Sequence, residues 1–139
     1  SHYAELKADT EQRGLSARVL FTGFVPDSEL AVLYNLARAL VLPSLEEGFG
    51  LPAVEAMACG APVIASDRGS LPEVVGPAGL FFDPSRPDVL VTLLRDVLSS
   101  ESIRDRMSLA GLERAKLFTW ELAAQSTAAL FERVLNEVR

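Results

Sequence analysis

Glycine and proline are confined to one part of this chain. Residues 14–87 hold eight of the nine glycines and all eight prolines, residues 1–13 hold neither, and residues 88–139 hold only Gly111. Breakers set between short apolar runs predict a turn-rich middle, and stretches without them predict helix. Four such runs stand out: Val19-Leu20-Phe21-Thr22, Ala39-Leu40-Val41-Leu42, Pro62-Val63-Ile64-Ala65 and Gly79-Leu80-Phe81-Phe82. None alternates polar with apolar, the pattern of strands covered on both faces. Between the first two, Leu30, Leu33, Tyr34 and Ala37 share one helical face, with Asp27 or Ser28 placed to cap it. Pro52 to Cys59 reads as a short helix closed by Gly60. The fold class is α/β, a parallel sheet with flanking helices and a helical C-terminal tail.

Both ends read as helix. Tyr3, Leu6 and Thr10 share a face that Gly14 closes. Leu90, Leu93, Leu94, Val97 and Leu98 form a stripe after Pro87, and a further helix runs from about Ser102 to Leu117. Thr119 caps a last helix with the stripe Trp120, Ala124, Ala128, Phe131 and Leu135, in which Trp120 reads as core.

Composition excludes several classes. A chain of 139 residues fits one domain, and 49% hydrophobic against 23% charged residues is too apolar for disorder. A net charge of −6 argues against nucleic acid or an anionic membrane as partner. No apolar run reaches the ~20 residues of a membrane span, and no signal peptide opens the sequence. Cys59 is the only cysteine and His2 the only histidine, so no internal disulfide, cysteine–histidine metal site or histidine triad is expected. The default compartment is the cytoplasm. No role is assigned to His2.

The chemistry lies in Pro43-Ser-Leu-Glu-Glu-Gly-Phe-Gly-Leu-Pro-Ala-Val-Glu-Ala-Met-Ala-Cys-Gly60. This segment joins a buried strand to a helix through Gly48 and Gly50, at the carboxyl edge of the sheet where ligands of such folds bind. Backbone N–H groups from Gly48 through Leu51 converge at the helix start and favour a phosphate or diphosphate. Two carboxylates, Glu47 and Glu55, stand around it with seven residues between them. Beside a bare phosphate they would repel, since like charges at about 4 Å cost a few kcal/mol at intermediate dielectric. They fit a ligand with hydroxyls on both sides of its phosphates, such as ribose, diphosphate and hexose in a nucleotide-sugar. The dinucleotide Gly-x-Gly-x-x-Gly and the P-loop Gly-Lys-Ser/Thr are both missing.

Glu47-Gly-Phe-Gly-Leu-Pro-Ala-Val-Glu55-Ala-Met-Ala-Cys-Gly-Ala-Pro-Val-Ile-Ala-Ser66 and Ser70-Leu-Pro-Glu-Val-Val-Gly76 strongly resemble the donor-binding domain of GT-B glycosyltransferases. The likeness is to the retaining group 1 enzymes, numbered family 4, over roughly residues 14–125, and Phe118-Thr-Trp-Glu121 resembles the start of one of their last helices. It implies a Rossmann-like GT-B C-terminal domain that moves a hexose from a nucleotide-sugar to an acceptor with retention. Glu47 would be the catalytic-site acid on the donor sugar and Glu55 would bind the ribose. The amides of Phe49, Gly50 and Leu51 would hold the diphosphate beside Gly48, and Gly23-Phe24-Val25 would lie beside the base. No obligatory metal and no cofactor are implied, and the acceptor is undefined. A nucleotide-sugar epimerase shares the architecture but not the glutamate spacing.

The resemblance also implies an N-terminal acceptor domain and a strand–helix–strand unit with an Arg/Lys pair, both absent from this sequence. Residues 1–139 are therefore expected to form one partial domain, a nucleotide-sugar-binding fragment with little or no transfer activity alone. Such a sheet leaves an edge open, and pairing of two chains into a homodimer is expected over a monomer. Arg68 reads as a solvated loop cation, Cys59 as a buried small residue, Glu46 as a solvated neighbour of Glu47, and Glu73 as the start of a short helix with at most a weak site role.

Overall fold

The structure, a computed structural model, describes residues 2–137, and the side chain of His2 lies outside the described residues. The elements in chain order are helices α1 (His2–Gln12) and α2 (Asp27–Leu36), strand β1 (Leu40–Leu42), helix α3 (Leu51–Ala58) and strand β2 (Val63–Ser66). They continue with helix α4 (Leu71–Val75), a 3-10 turn (Gly76–Ala78), strand β3 (Leu80–Phe82) and helices α5 (Pro87–Ser99), α6 (Glu101–Ala115) and α7 (Trp120–Glu137).

The three strands form one parallel sheet in the order β1-β2-β3, with Val41 opposite Ile64 and Ala65 opposite Phe81. All four residues of β2 are buried. Their side chains divide between two layers, as period-2 geometry requires. Val63 and Ala65 join Ala53, Ala56, Met57, Leu71 and Val75 on one face, and Ile64 joins Phe82, Val97 and Met107 on the other. The sheet is thus the middle layer between α3–α4 on one face and α5 with the first half of α6 on the other, which is why no strand alternates in sequence. The second half of α6 packs on the α3 side through Gly111 and Ala115.

Local signals explain most boundaries. Helix α1 stops at Gly14, where the amides of Gly14 and Leu15 return to the carbonyls of Glu11 and Thr10. Helix α3 stops likewise, with Gly60 and Ala61 returning to Met57 and Ala56. The Ser100 hydroxyl accepts from the Ile103 amide to start α6, and the Thr119 hydroxyl accepts from Leu122 to start α7.

Several expectations are corrected. Val19–Thr22 forms no strand: the Val19 amide bonds back to Leu15, Phe21 stacks edge-on to Tyr3 at 5.5 Å, and no described strand lies alongside. Neither Asp27 nor Ser28 caps α2; both are helical, and the Pro26 carbonyl receives the amides of Glu29 and Leu30. Of its stripe only Tyr34 and Ala37 pack on the core, and Leu33 is exposed. In α5, Leu98 is exposed while Val97 is buried. Trp120 is not core: it is 83% exposed, and α7 buries no residue, because nothing in the described chain lies over its apolar stripe. Cys59 is a free thiol but only half-buried.

Candidate functional site

The three loops at the carboxyl ends of the strands are tied into one rim. After β1, the Ser44 carbonyl accepts from the hydroxyl of fully buried Ser66 at 2.6 Å. Two residues past Glu46, the chain turns at Gly48, and before that the Glu47 carbonyl accepts from both the amide and the hydroxyl of Ser70, at 3.3 and 3.2 Å. Gly69 allows this approach. Its φ is +58°, and a Cβ there would stand 2.6 Å from the Glu47 carbonyl oxygen and 2.9 Å from its nitrogen. Backbone cannot yield as a side-chain tip can, so only glycine fits. After β3, Asp83 takes Arg68 at 2.9 Å, and the same guanidinium reaches Asp67 at 3.2 Å. Arg68 is an exposed loop residue, as its reading as a solvated cation expects, and at the surface it pairs with both acids.

Hydrogen bonds from the Ser85 hydroxyl and amide hold the Asp83 carboxyl below the usual carboxylate range against the opposing effect of burial, with a lesser contribution from Arg68.

The first loop delivers the chain to α3 through Gly50, at φ +94°. A Cβ on Gly50 would meet Leu71 Cδ2 at 2.8 Å. The Gly50 carbonyl accepts from Ala53 at 2.9 Å, which starts the helix, and Pro52 sits in its first turn. The amides of Gly48, Phe49, Gly50 and Leu51 find no acceptor among the described residues. They stand at the positive end of α3 as donors for an anion. Gly48 has no positive φ, and a Cβ there would meet nothing within 4 Å. Neither backbone strain nor internal packing therefore requires glycine at 48.

Glu47 is half-buried, and its carboxylate accepts from the Ser44 hydroxyl at 3.4 Å. Glu55, one turn into α3, is exposed and accepts from the Tyr34 phenol at 3.3 Å. Burial, then the charge of Glu55 and its hydrogen bond, push the Tyr34 phenol up to about 12. Phe49 lies edge-on to Phe118 at 5.8 Å, and Phe118 carries the Arg114 guanidinium 5.2 Å above its ring. Arg114 in turn donates to the carbonyls of Val74 and Glu73. Glu73 therefore meets this network through its backbone, with its side chain exposed. A cavity of about 540 Å³ opens beside the helix start, lined by Phe49, Leu51, Val54, Glu55, Phe118 and Trp120 among others.

The predicted residues fall in two places. Glu47, Gly48, Phe49, Gly50, Leu51 and Glu55 gather at the β1–α3 junction. Phe24 and Val25 line a separate hollow of about 530 Å³ with Ser28, Glu29 and Leu33, next to Gly23 at φ +64°. Phe24 is 90% exposed. Sequence reading missed Tyr34, Ser44, Ser66, Ser70 and Asp83. Tyr34 looked like one more residue of an apolar stripe, and the serines carry no spacing signal because their partners are distant in the chain. No group of acidic, histidine or cysteine side chains among the described residues is arranged to hold a metal ion. No helix among them is long and apolar enough to cross a membrane.

A three-stranded parallel sheet with flanking helices defines a Rossmann-like fold of the GT-B C-terminal kind. The family described as Glycosyl transferases group 1 matches residues 1–114, and the chain belongs to that family. It is 46% identical over 109 residues to the O-antigen chain mannosyltransferase B of Escherichia coli, covering 78% of this chain and 29% of that protein. It is 41% identical over 129 residues to the MMP alpha-(1->4)-mannosyltransferase of Mycolicibacterium hassiacum, covering 90% and 31%. In structure it is similar to a sucrose-phosphate synthase from Thermosynechococcus elongatus, with a TM-score of 0.88, 34% identity, and 96% of this chain and 34% of that one covered. The C-terminal domain of a group 1 glycosyl transferase from Francisella tularensis is similar too, with a TM-score of 0.73, 31% identity, and 83% and 60% covered. The chain thus spans about a third or less of the curated relatives named here.

Proposed function

We propose that this chain is the donor-binding part of a retaining glycosyltransferase that moves a hexose from a nucleoside diphosphate to an acceptor. One observation carries the reading: unpartnered amides from Gly48 to Leu51 open at the start of α3, with Glu47 before them and Glu55 one turn after. In it, the amides of Phe49, Gly50 and Leu51 grip the diphosphate, and the helix dipole adds to their pull as charge develops on the leaving group. Gly48, whose missing side chain serves nothing inside the protein, leaves the phosphates room to approach. Glu55 accepts from the ribose hydroxyls and Glu47 from the donor sugar. Gly23, Phe24 and Val25 border the base. The donor is a substrate, and no metal or other cofactor enters the reading. The acceptor side belongs to a domain outside this sequence, the natural setting is the cytoplasm, and the open side of β1 is where two chains would pair as a homodimer.

A second reading, nucleotide-sugar binding without transfer by the chain alone, is favoured by Arg68. Its guanidinium pairs with Asp67 and Asp83, whose charges offset its own. Calorimetry with UDP- and GDP-sugars tests both readings. Micromolar binding, lost in Glu55→Ala, with no turnover of the donor, is the expected result. Turnover by the isolated chain would remove the second reading, and unchanged affinity in Glu55→Ala would remove the ribose role.

A further inference from the structure

We infer that Tyr34 is a positioning residue, whose phenol holds the Glu55 carboxylate in the orientation that a ribose diol requires. The inference rests on the ribose role proposed above for Glu55. Glu55 is exposed on α3, and a glutamate there would otherwise sample several rotamers, whose loss weakens binding. The Tyr34 phenol donates to Glu55 Oε2 at 3.3 Å. Among the described residues that carboxylate accepts no other hydrogen bond, so Oε1 and the remaining lone pairs are open to a ligand.

Tyr34 is fixed from two sides. Its ring packs on the core cluster that contains Ala53, Ala56 and Met57, beside Ala37 and Val54. Its carbonyl accepts from the Ala37 amide where α2 ends, at 3.2 Å, three residues before β1 begins. A donor anchored in this way cannot follow a wandering carboxylate; the carboxylate comes to the donor. Burial and the negative neighbour keep the phenol protonated well beyond neutral pH, so the bond is present whenever the site could work. The stem of the side chain is core, which hid its polar tip in a helical stripe.

Tyr34→Phe keeps the ring and removes only the O–H. Calorimetry with UDP and GDP, and with their 2′,3′-dideoxy counterparts, reads the effect. The variant should bind the ribose nucleotide about two- to tenfold more weakly, leave the dideoxy affinity unchanged, and add nothing to the loss in Glu55→Gln. Equal weakening of both nucleotides would show a packing role and overturn the inference, as would no weakening at all. If Glu55→Gln weakens ribose binding while Tyr34→Phe does not, the positioning role falls and the ribose role stands. If Glu55→Gln leaves the ribose-to-dideoxy ratio of the unsubstituted chain intact, the ribose role itself falls. No binding of either nucleotide by the unsubstituted chain would sink both.

Discussion

Helices α3 and α7 are both amphipathic, yet they stand in opposite relations to solvent. The eight residues of α3 include three, Ala53, Ala56 and Met57, with no exposed surface, whereas the eighteen of α7 include no buried residue. The difference lies in what stands opposite. Helix α3 has β2 beneath it and α6 across it, while α7 leaves the domain after Thr119 with Trp120, Phe131 and Leu135 bare. Periodicity specifies a face, and burial, at roughly 25 cal/mol per Å² of apolar surface, comes only where a second element meets that face.

That contrast can be broken by measurement. Met57→Ala should cost about 3 kcal/mol in urea unfolding, since it empties a fully buried site between α3 and α6. A loss much below 1 kcal/mol would mean that α3 is less tightly held than its burial indicates. Gly69→Ala should cost about 2 kcal/mol, by forcing a Cβ against the Glu47 backbone at a positive φ. Nucleotide affinity should fall with it, whereas the packing of α3 on β2 survives. A variant as stable as the parent would show that the rim flexes.

The next effect is a pH dependence. Tyr34 holds its proton more tightly folded than unfolded, being raised from 10.0 to about 12. Its contribution is therefore complete below pH 10 and is lost as pH rises through 12. Unfolding midpoints should fall over that window, less steeply in Tyr34→Phe. Parallel curves would separate Tyr34 from the alkaline loss. The smallest effect is expected at the far end, where Leu135→Ala should change stability by no more than about 0.5 kcal/mol. A loss comparable to that of Met57→Ala would mean that α7 is covered in solution.

Legibility in the sequence follows the same division. The runs Ala39–Leu42, Pro62–Ala65 and Gly79–Phe82 are strands to within a residue, because a buried parallel strand needs unbroken apolar side chains and abrupt ends. The glycine loop and its two glutamates were legible as a candidate ligand site, since spacing alone puts them at a strand end and a helix start. Val19–Thr22 was misread, since apolar content cannot say whether a neighbouring strand is there to receive it. Trp120 was misread for the corresponding reason in a helix. Tyr34 with Glu55, Ser66 with Ser44, and Ser70 with Glu47 were invisible, because each pair is 21 to 23 residues apart and meets only through the fold.

Gly111 of α6 is buried directly over Met57, whose Cγ would lie 3.3 Å from any Cβ added there. With no side chain between them the two helices sit nearly backbone to backbone, and that seat sets the tilt of α3. The direction in which its amides open is consequently governed from far down the chain. A truncation that ended at β3 would retain every residue of the glycine loop and still lose the α6 surface on which α3 is seated.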